Sequence, residues 1–335
     1  MRYFAILIVV LLPLLAHAQE WEDQKVFGTP SASQSLRILS STDTSFFISI
    51  IESFIAQRPD ISIEYLVAST ADLDERFRQA PDGFDVVISS AMDLQLKLTN
   101  DGFAQRLDSL THPDWAQWRS SLFAFTTEPA AIVIKTAAFD GLEIPATRQD
   151  LIEVLRGNAE LFDGKVGTYD VRQSGLGYLF ATQDARASET YWRLMEVIGS
   201  LNAQLYCCSG AMIDDLAEGR ILVAYNVLGS YAVARTDIQD ELTVILPSDF
   251  PTTMMRSALV SKSASDPILA EAFLRHLIRL QSQGSIEDFP LPSLEAFQDT
   301  SGRPSISLEP ALMTYLDHLK RQVFIGEWES AIIQN

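Results

Sequence analysis

The stretch SLRILSSTDTSFFISIIESFIAQRP, residues 35–59, decides the fold. Leu36, Ile38 and Leu39 make a short β-rich run that ends at Ser40. Ser41, Thr42, Asp43 and Thr44 follow, side chains suited to capping a helix start. Phe46, Phe47, Ile50, Ile51, Phe54 and Ile55 then recur at helical spacing until Arg58-Pro59 stops them. A strand, a hydroxyl-rich loop and an amphipathic helix form half of a parallel βαβ unit.

The same unit recurs outward from it. Residues 61–67 alternate as a strand, 72–80 read as a helix, and 84–88 form a β-rich run. Ser89-Ser90 then opens a helix through Met92, Leu94, Leu96 and Leu98. Residues 123–135, with Pro129 inside them, are expected to be an extended crossover and not a sheet centre.

A second block of the same kind follows. It comprises a helix at 148–156, a strand at 165–169, helices between 177 and 198, a strand at 204–208, a helix reaching Gly219 and a strand at 221–225. Residues 243–246 and 254–261 read as strands leading back, and 267–281 and 310–332 as helices. The expected fold class is therefore α/β with two lobes, each a mixed, mostly parallel sheet flanked by helices, and a ligand cleft at the hinge. A chain of 335 residues exceeds what one core usually accommodates. The expected boundaries are 19–34 for a flexible lead, 35–130 with 255–335 for lobe one, and 131–254 for lobe two.

Before the lead, Arg2 is followed by an apolar run, and Ala16-His17-Ala18 offers a small-x-small cleavage site. Residues 1–18 are read as a cleavable export signal, which places the mature protein in the periplasm without membrane insertion. The net charge of −19 repels nucleic acid and anionic lipid. It leaves room for a small anion held by backbone N–H groups at a helix start.

No G-x-S-x-G or H-E-x-x-H pattern occurs, and the histidines fall outside the strand-end loops, so no enzymatic activity, cofactor or metal is expected. In open α/β sheets, ligands sit beyond the carboxyl ends of strands. Four segments qualify. Ser41, Thr42 and Asp43 either cap a helix or face a ligand, and so do Ser89 and Ser90. Tyr169, Arg172, Ser174 and Gly175 form the third, in which Arg172 either holds an anion or pairs with Asp170. Arg172→Ala is expected to cost about 1.5–3 kcal/mol of binding in the first case. Cys208, Ser209, Tyr225, Asn226 and Ser230 make the fourth. Glu128, on the crossover, either meets ligand hydroxyls or tethers the hinge. Cys207 and Cys208 are either two thiols or a strained vicinal disulfide whose reduction would weaken binding.

SSAMDLQLKLTNDGFAQ (89–105), TTEPAAIVIK (126–135), GTYDVRQSGLGYLFATQDA (167–185), EGRILVAYNVLGSYAVAR (218–235) and LEPALMTYLDHLKRQVFIGEWESAI (308–332) together resemble extracellular solute-binding proteins of the type 2 periplasmic class. The resemblance is to the branch with ferric-ion and thiamine receptors, closest to its phosphoglycerate- and hexose-phosphate-type members. It implies a monomeric receptor that closes on a small phosphorylated or carboxylated solute and delivers it to the permease of an ABC importer. Some relatives instead report to a sensor-kinase ectodomain. The ferric branch uses adjacent tyrosines; Tyr225 and Tyr231 depart from that spacing.

Overall fold

The computed structural model describes residues 21–29, 31–283, 285, 287, 289–296 and 306–334. The export signal expected at residues 1–18 lies outside them. The strands are β1 (Asp23–Gly28), β2 (Gln34–Ser40), β3 (Ile61–Val67), β4 (Val86–Ser89), β5 (Gln117–Trp118), β6 (Leu122–Ala124), β7 (Glu128–Lys135), β8 (Val166–Tyr169), β9 (Gln204–Tyr206), β10 (Val223–Leu228), β11 (Leu242–Ile245), β12 (Thr253–Met254) and β13 (Ser257–Val260). The helices are α1 (Thr44–Ala56), α2 (Thr70–Gln79), α3 (Met92–Asn100), α4 (Arg148–Gly157), α5 (Ala159–Phe162), α6 (Gly175–Ala187), α7 (Thr190–Ser200), α8 (Ser209–Ala217), α9 (Gly229–Ala234), α10 (Pro267–Gln283) and α11 (His318–Ile332).

Two mixed sheets result. The first has the order β1-β3-β2-β4-β13-β6-β5, the second β11-β7-β10-β8-β9, with β12 pairing the start of β7. Parallel pairing of β2 with β3 and β4 follows from the helical crossovers α1 and α2. Phe47, Ile50, Ile51 and Phe54 of α1 are fully buried. Each such side chain contributes about 1.5–3 kcal/mol by leaving water. No helix among the described residues is long and apolar enough to cross a membrane.

The chain passes from the first sheet to the second between β6 and β7 and returns between β12 and β13. The two passages lie side by side: Phe125 N donates to Arg256 O at 2.9 Å, and Ala130 N to Thr252 O at 2.8 Å. The crossover is thus shorter than expected. Residues 128–135 are an inner strand of the second sheet, flanked by β10 and β11. Pro129 sits at the second residue of that strand, beside the short β12, where a missing N–H removes little from the ladder.

Three further expectations need correction. Residues 23–28 of the supposed flexible lead form an edge strand antiparallel to β3, because Phe27 buries into the core while Asp23, Gln24 and Lys25 face solvent. Residues 310–332 do not form one helix. A 3₁₀ segment, Pro310–Leu316, is followed at Asp317 by the capped start of α11. That last helix, assigned to lobe one from sequence, packs Phe324, Trp328, Ala331 and Ile332 into the cluster of the second sheet, with the backbone of Ala331 against Gly199 of α7. Only a glycine allows that approach.

Candidate functional site

Between the sheets lies a small cavity of about 20 Å3. This is space for roughly one water molecule, so the lobes are closed on each other. Leu176 N donates to Thr70 Oγ1 across the gap at 3.0 Å, and Tyr231 packs on Phe46 with ring centroids 4.9 Å apart.

Six helices begin at the cavity wall. Ser41 and Asp43 precede α1, Ser69 caps α2 by accepting from Asp72 N, and Ser90 precedes α3. From the other lobe Ser174 caps α6 by accepting from Gly177 N, Cys208 precedes Ser209 at the start of α8, and Leu228 precedes α9. This convergence follows from the topology, since the loops after β2, β3, β4, β8, β9 and β10 all face the hinge. Each helix start carries about half a positive charge and N–H groups without intrahelical partners; in this closed form side chains take up several of them, Asp72 N on Ser69, Gly177 N on Ser174 and Leu176 N on Thr70.

The cavity wall contains no Lys, Arg or His among the described residues. Its ionisable side chains are Asp43, Glu22, the two thiols and the phenols of Tyr169 and Tyr231. Burial raises the Asp43 carboxyl above the ordinary carboxylate range, opposed by nearby Arg256 and by a 3.4 Å hydrogen bond from Tyr231 Oη. Burial also raises Glu22, helped by the carboxylates of Asp43 and Asp72. The hydroxyls of Tyr169 and Ser209 lie 2.6 Å apart, and burial keeps the Tyr169 phenol protonated.

Beneath the cavity is a buried ion pair. Arg256, with no exposed surface, donates from Nε and Nη2 to Glu128 Oε1 at 3.0 and 2.8 Å. Its Nη1 reaches Thr42 Oγ1 in lobe one. Glu128 also accepts from Thr126 Oγ1 at 3.0 Å and, at Oε2, from Ser230 Oγ in lobe two at 2.6 Å. The pair therefore joins both passages of the hinge to both lobes.

Of the residues singled out from sequence, Ser41, Asp43, Ser90, Tyr169, Ser174, Cys208 and Ser209 line the cavity. Thr42, Glu128 and Ser230 belong to the ion-pair network below it. Ser89 is buried and caps locally, accepting from Ala91 N at 3.1 Å. Gly175 packs against Leu94 and Thr70 beside an outer crevice.

Arg172 occupies the rim of that crevice, 35% exposed. It is neutralised by Asp170 at 2.7 Å and Glu329 at 3.1 Å. It takes the pairing that the sequence left open as the alternative to a ligand role.

Tyr225 and Asn226 point away from the cleft. Arg148 Nε donates to Tyr225 Oη at 2.9 Å, and Tyr225 Oη and Asn226 Nδ2 each donate to Asp184 Oδ2 at 2.8 Å. This is a buried network of the second lobe. A bulge in β10 at Asn226, whose φ is +61°, places the pair there; asparagine tolerates that conformation well.

Cys207 and Cys208 are free thiols. Sequence reasoning did not select Arg256, Glu22, Thr70 or Leu176. A lone arginine in the apolar run TTMMRSALV was the available signal for the first, because a buried arginine requires a partner.

Asp93, on the first turn of α3, is 2% exposed, and burial lifts its carboxyl from the ordinary 3.8 to about 7. The folded state favours the protonated form. This contribution is complete below about pH 4 and is lost as pH rises through 7, on the order of a few kcal/mol. Asp93→Asn is accordingly expected to raise the melting temperature at pH 8.5 and to change it little at pH 4. Parallel melting curves across that range would contradict the assignment.

No family model and no curated protein matches the chain. Solved structures do. A substrate-binding protein of an ABC transporter from Agrobacterium tumefaciens superimposes with a TM-score of 0.84 at 30% identity, over 92% of this chain and 98% of that one. The periplasmic binding protein AfuA from Actinobacillus pleuropneumoniae, solved with exogenous fructose-6-phosphate, gives 0.71 at 14% identity over 91% and 100% of the chains. Apo ferric ion-binding protein A from Pasteurella haemolytica gives 0.67 at 14% identity over 90% and 98%.

Proposed function

This chain belongs to the substrate-binding proteins of ABC transporters, and on that premise we propose that it captures a small solute carrying a phosphate or carboxylate. Capture of a solute for import is the work of the family. The anionic group rests on backbone N–H groups and serine hydroxyls at the converging helix starts. The hydroxyls of the same solute donate to Asp43 and Glu22. The observation that carries this reading is the combination of six helix starts with a wall free of cationic side chains. Peptide dipoles attract an anion without burying a cation that the empty cleft would leave unpaired.

The division of labour differs from the one expected from sequence, in which Arg172 supplied the compensating charge. Two carboxylates already satisfy that guanidinium. An iron receptor is less well supported, since the Tyr225 hydroxyl is engaged by Arg148 and Asp184. In this reading the protein acts in the periplasm as a monomer after removal of residues 1–18. Residues 35–130 and the strand at 257–260 form the first lobe, and residues 131–254 the core of the second. In this reading it is a receptor and not an enzyme, which rests on the work of the family it belongs to.

A thermal-shift panel of hexose phosphates, glycerate phosphates, simple carboxylates, thiamine and ferric iron tests the proposal. A phosphorylated or carboxylated polyol should raise the melting temperature by several degrees, about the effect of 100-fold saturation over Kd. Stabilisation by thiamine or ferric iron with none by any anion would overturn it.

A further inference from the structure

The two adjacent cysteines hold a feature that solute capture leaves unused. In a regular strand neighbouring side chains point to opposite faces, so the strand expected over 204–208 would have separated the thiols. Instead β9 ends at Tyr206 and the chain bends at 207 and 208. Both side chains consequently line the same cavity, and Cys207 also opens onto the outer crevice beside Gln173. Each is partly buried.

We propose that Cys207 and Cys208 are a redox modification site, a dithiol that closes reversibly to an eight-membered vicinal disulfide in the cleft wall. The oxidant is a disulfide of another protein or of a small thiol. Cys207, the more accessible sulfur, attacks one sulfur of the oxidant as its thiolate, forms a mixed disulfide and expels the first thiolate. Cys208, deprotonated in turn, attacks the Cys207 sulfur of that mixed disulfide and expels the second. The two cysteines lose two electrons and two protons, and the oxidant leaves as two thiols.

A ring this small is strained, so its potential lies on the oxidising side and the bond is readily reduced. That is the property of a switch and not of a structural staple. The cleft wall described above is built with the thiol form. Ring closure pulls on the residue before α8, where Ser209 holds the Tyr169 hydroxyl and accepts from Leu228 N at 3.4 Å. Oxidation is therefore expected to loosen the closed form, the reverse of the effect that a pre-formed ring would have implied. The claim does not depend on which solute fills the cleft.

The test equilibrates the purified native protein in graded mixtures of oxidised and reduced glutathione, followed by acid quench, alkylation and peptide mass analysis. The oxidised protein should be monomeric and lighter by two hydrogens, with the loss confined to the peptide holding both residues and reversed by dithiothreitol. Cys207→Ser and Cys208→Ser should each take up one glutathione and form no ring. Wild-type protein that accumulates glutathione adducts or intermolecular dimers, or that stays reduced at every ratio, would overturn the proposal.

Discussion

Arg256→Leu is expected to destabilise the protein by about 3–5 kcal/mol, the range for removing one partner of a buried ion pair. The loss stems chiefly from what remains. Glu128 is 1% exposed, and without the guanidinium its carboxylate keeps only the hydroxyls of Thr126 and Ser230. Removing both charges should recover part of the loss. Arg256→Leu with Glu128→Leu leaves Thr42, Thr126 and Ser230 short of one hydrogen bond each, at about 1–3 kcal/mol apiece, but strands no charge. Urea unfolding at pH 7 should therefore find the double variant more stable than Arg256→Leu alone. A double variant as unstable as the sum of the two single changes would show that the pair is not the hinge element described here.

Much of the architecture was legible because its signals are local. Residues 35–59 place a strand end, capping hydroxyls and an apolar helix face in order; β2 and the apolar face of α1 follow that pattern, while no side chain caps α1, whose N-cap residue is Asp43. Ser90, Ser174 and Ser209 were recoverable for the same reason, as hydroxyls where strands turn into helices.

What was not legible depends on direction. The apolar run around Arg256 marks it as buried, unlike Arg172 on an exposed loop with two carboxylates in reach, but nothing local shows that the return passage of the hinge carries it beneath the cleft. The strand VAYNVL is buried throughout, so its composition gives no alternation from which to read which face Tyr225 takes. The bulge at Asn226 then decides it. The last helix was misassigned because its partner, α7, is remote in sequence and their close approach needs a glycine, Gly199.

The second large effect concerns the cleft itself. Ser90 precedes α3 at the cavity wall and is 3% exposed. Ser90→Asp adds a carboxylate just ahead of the helix start, where the dipole offsets part of the cost of burying it. A bound phosphate or carboxylate would then face a like charge in a space that admits little water. Such a juxtaposition costs several kcal/mol, so affinity should fall by about 100-fold or more. Arg172→Ala, which removes a charge on the rim already held by Asp170 and Glu329, should leave affinity within about threefold.

Titration calorimetry of these two variants with the solute that stabilises the wild type tests the central claim most directly, namely that helix starts and not an arginine hold an anion between the lobes. The account predicts binding lost in Ser90→Asp and kept in Arg172→Ala. Binding kept in Ser90→Asp and lost in Arg172→Ala would contradict it and place the solute in the outer crevice.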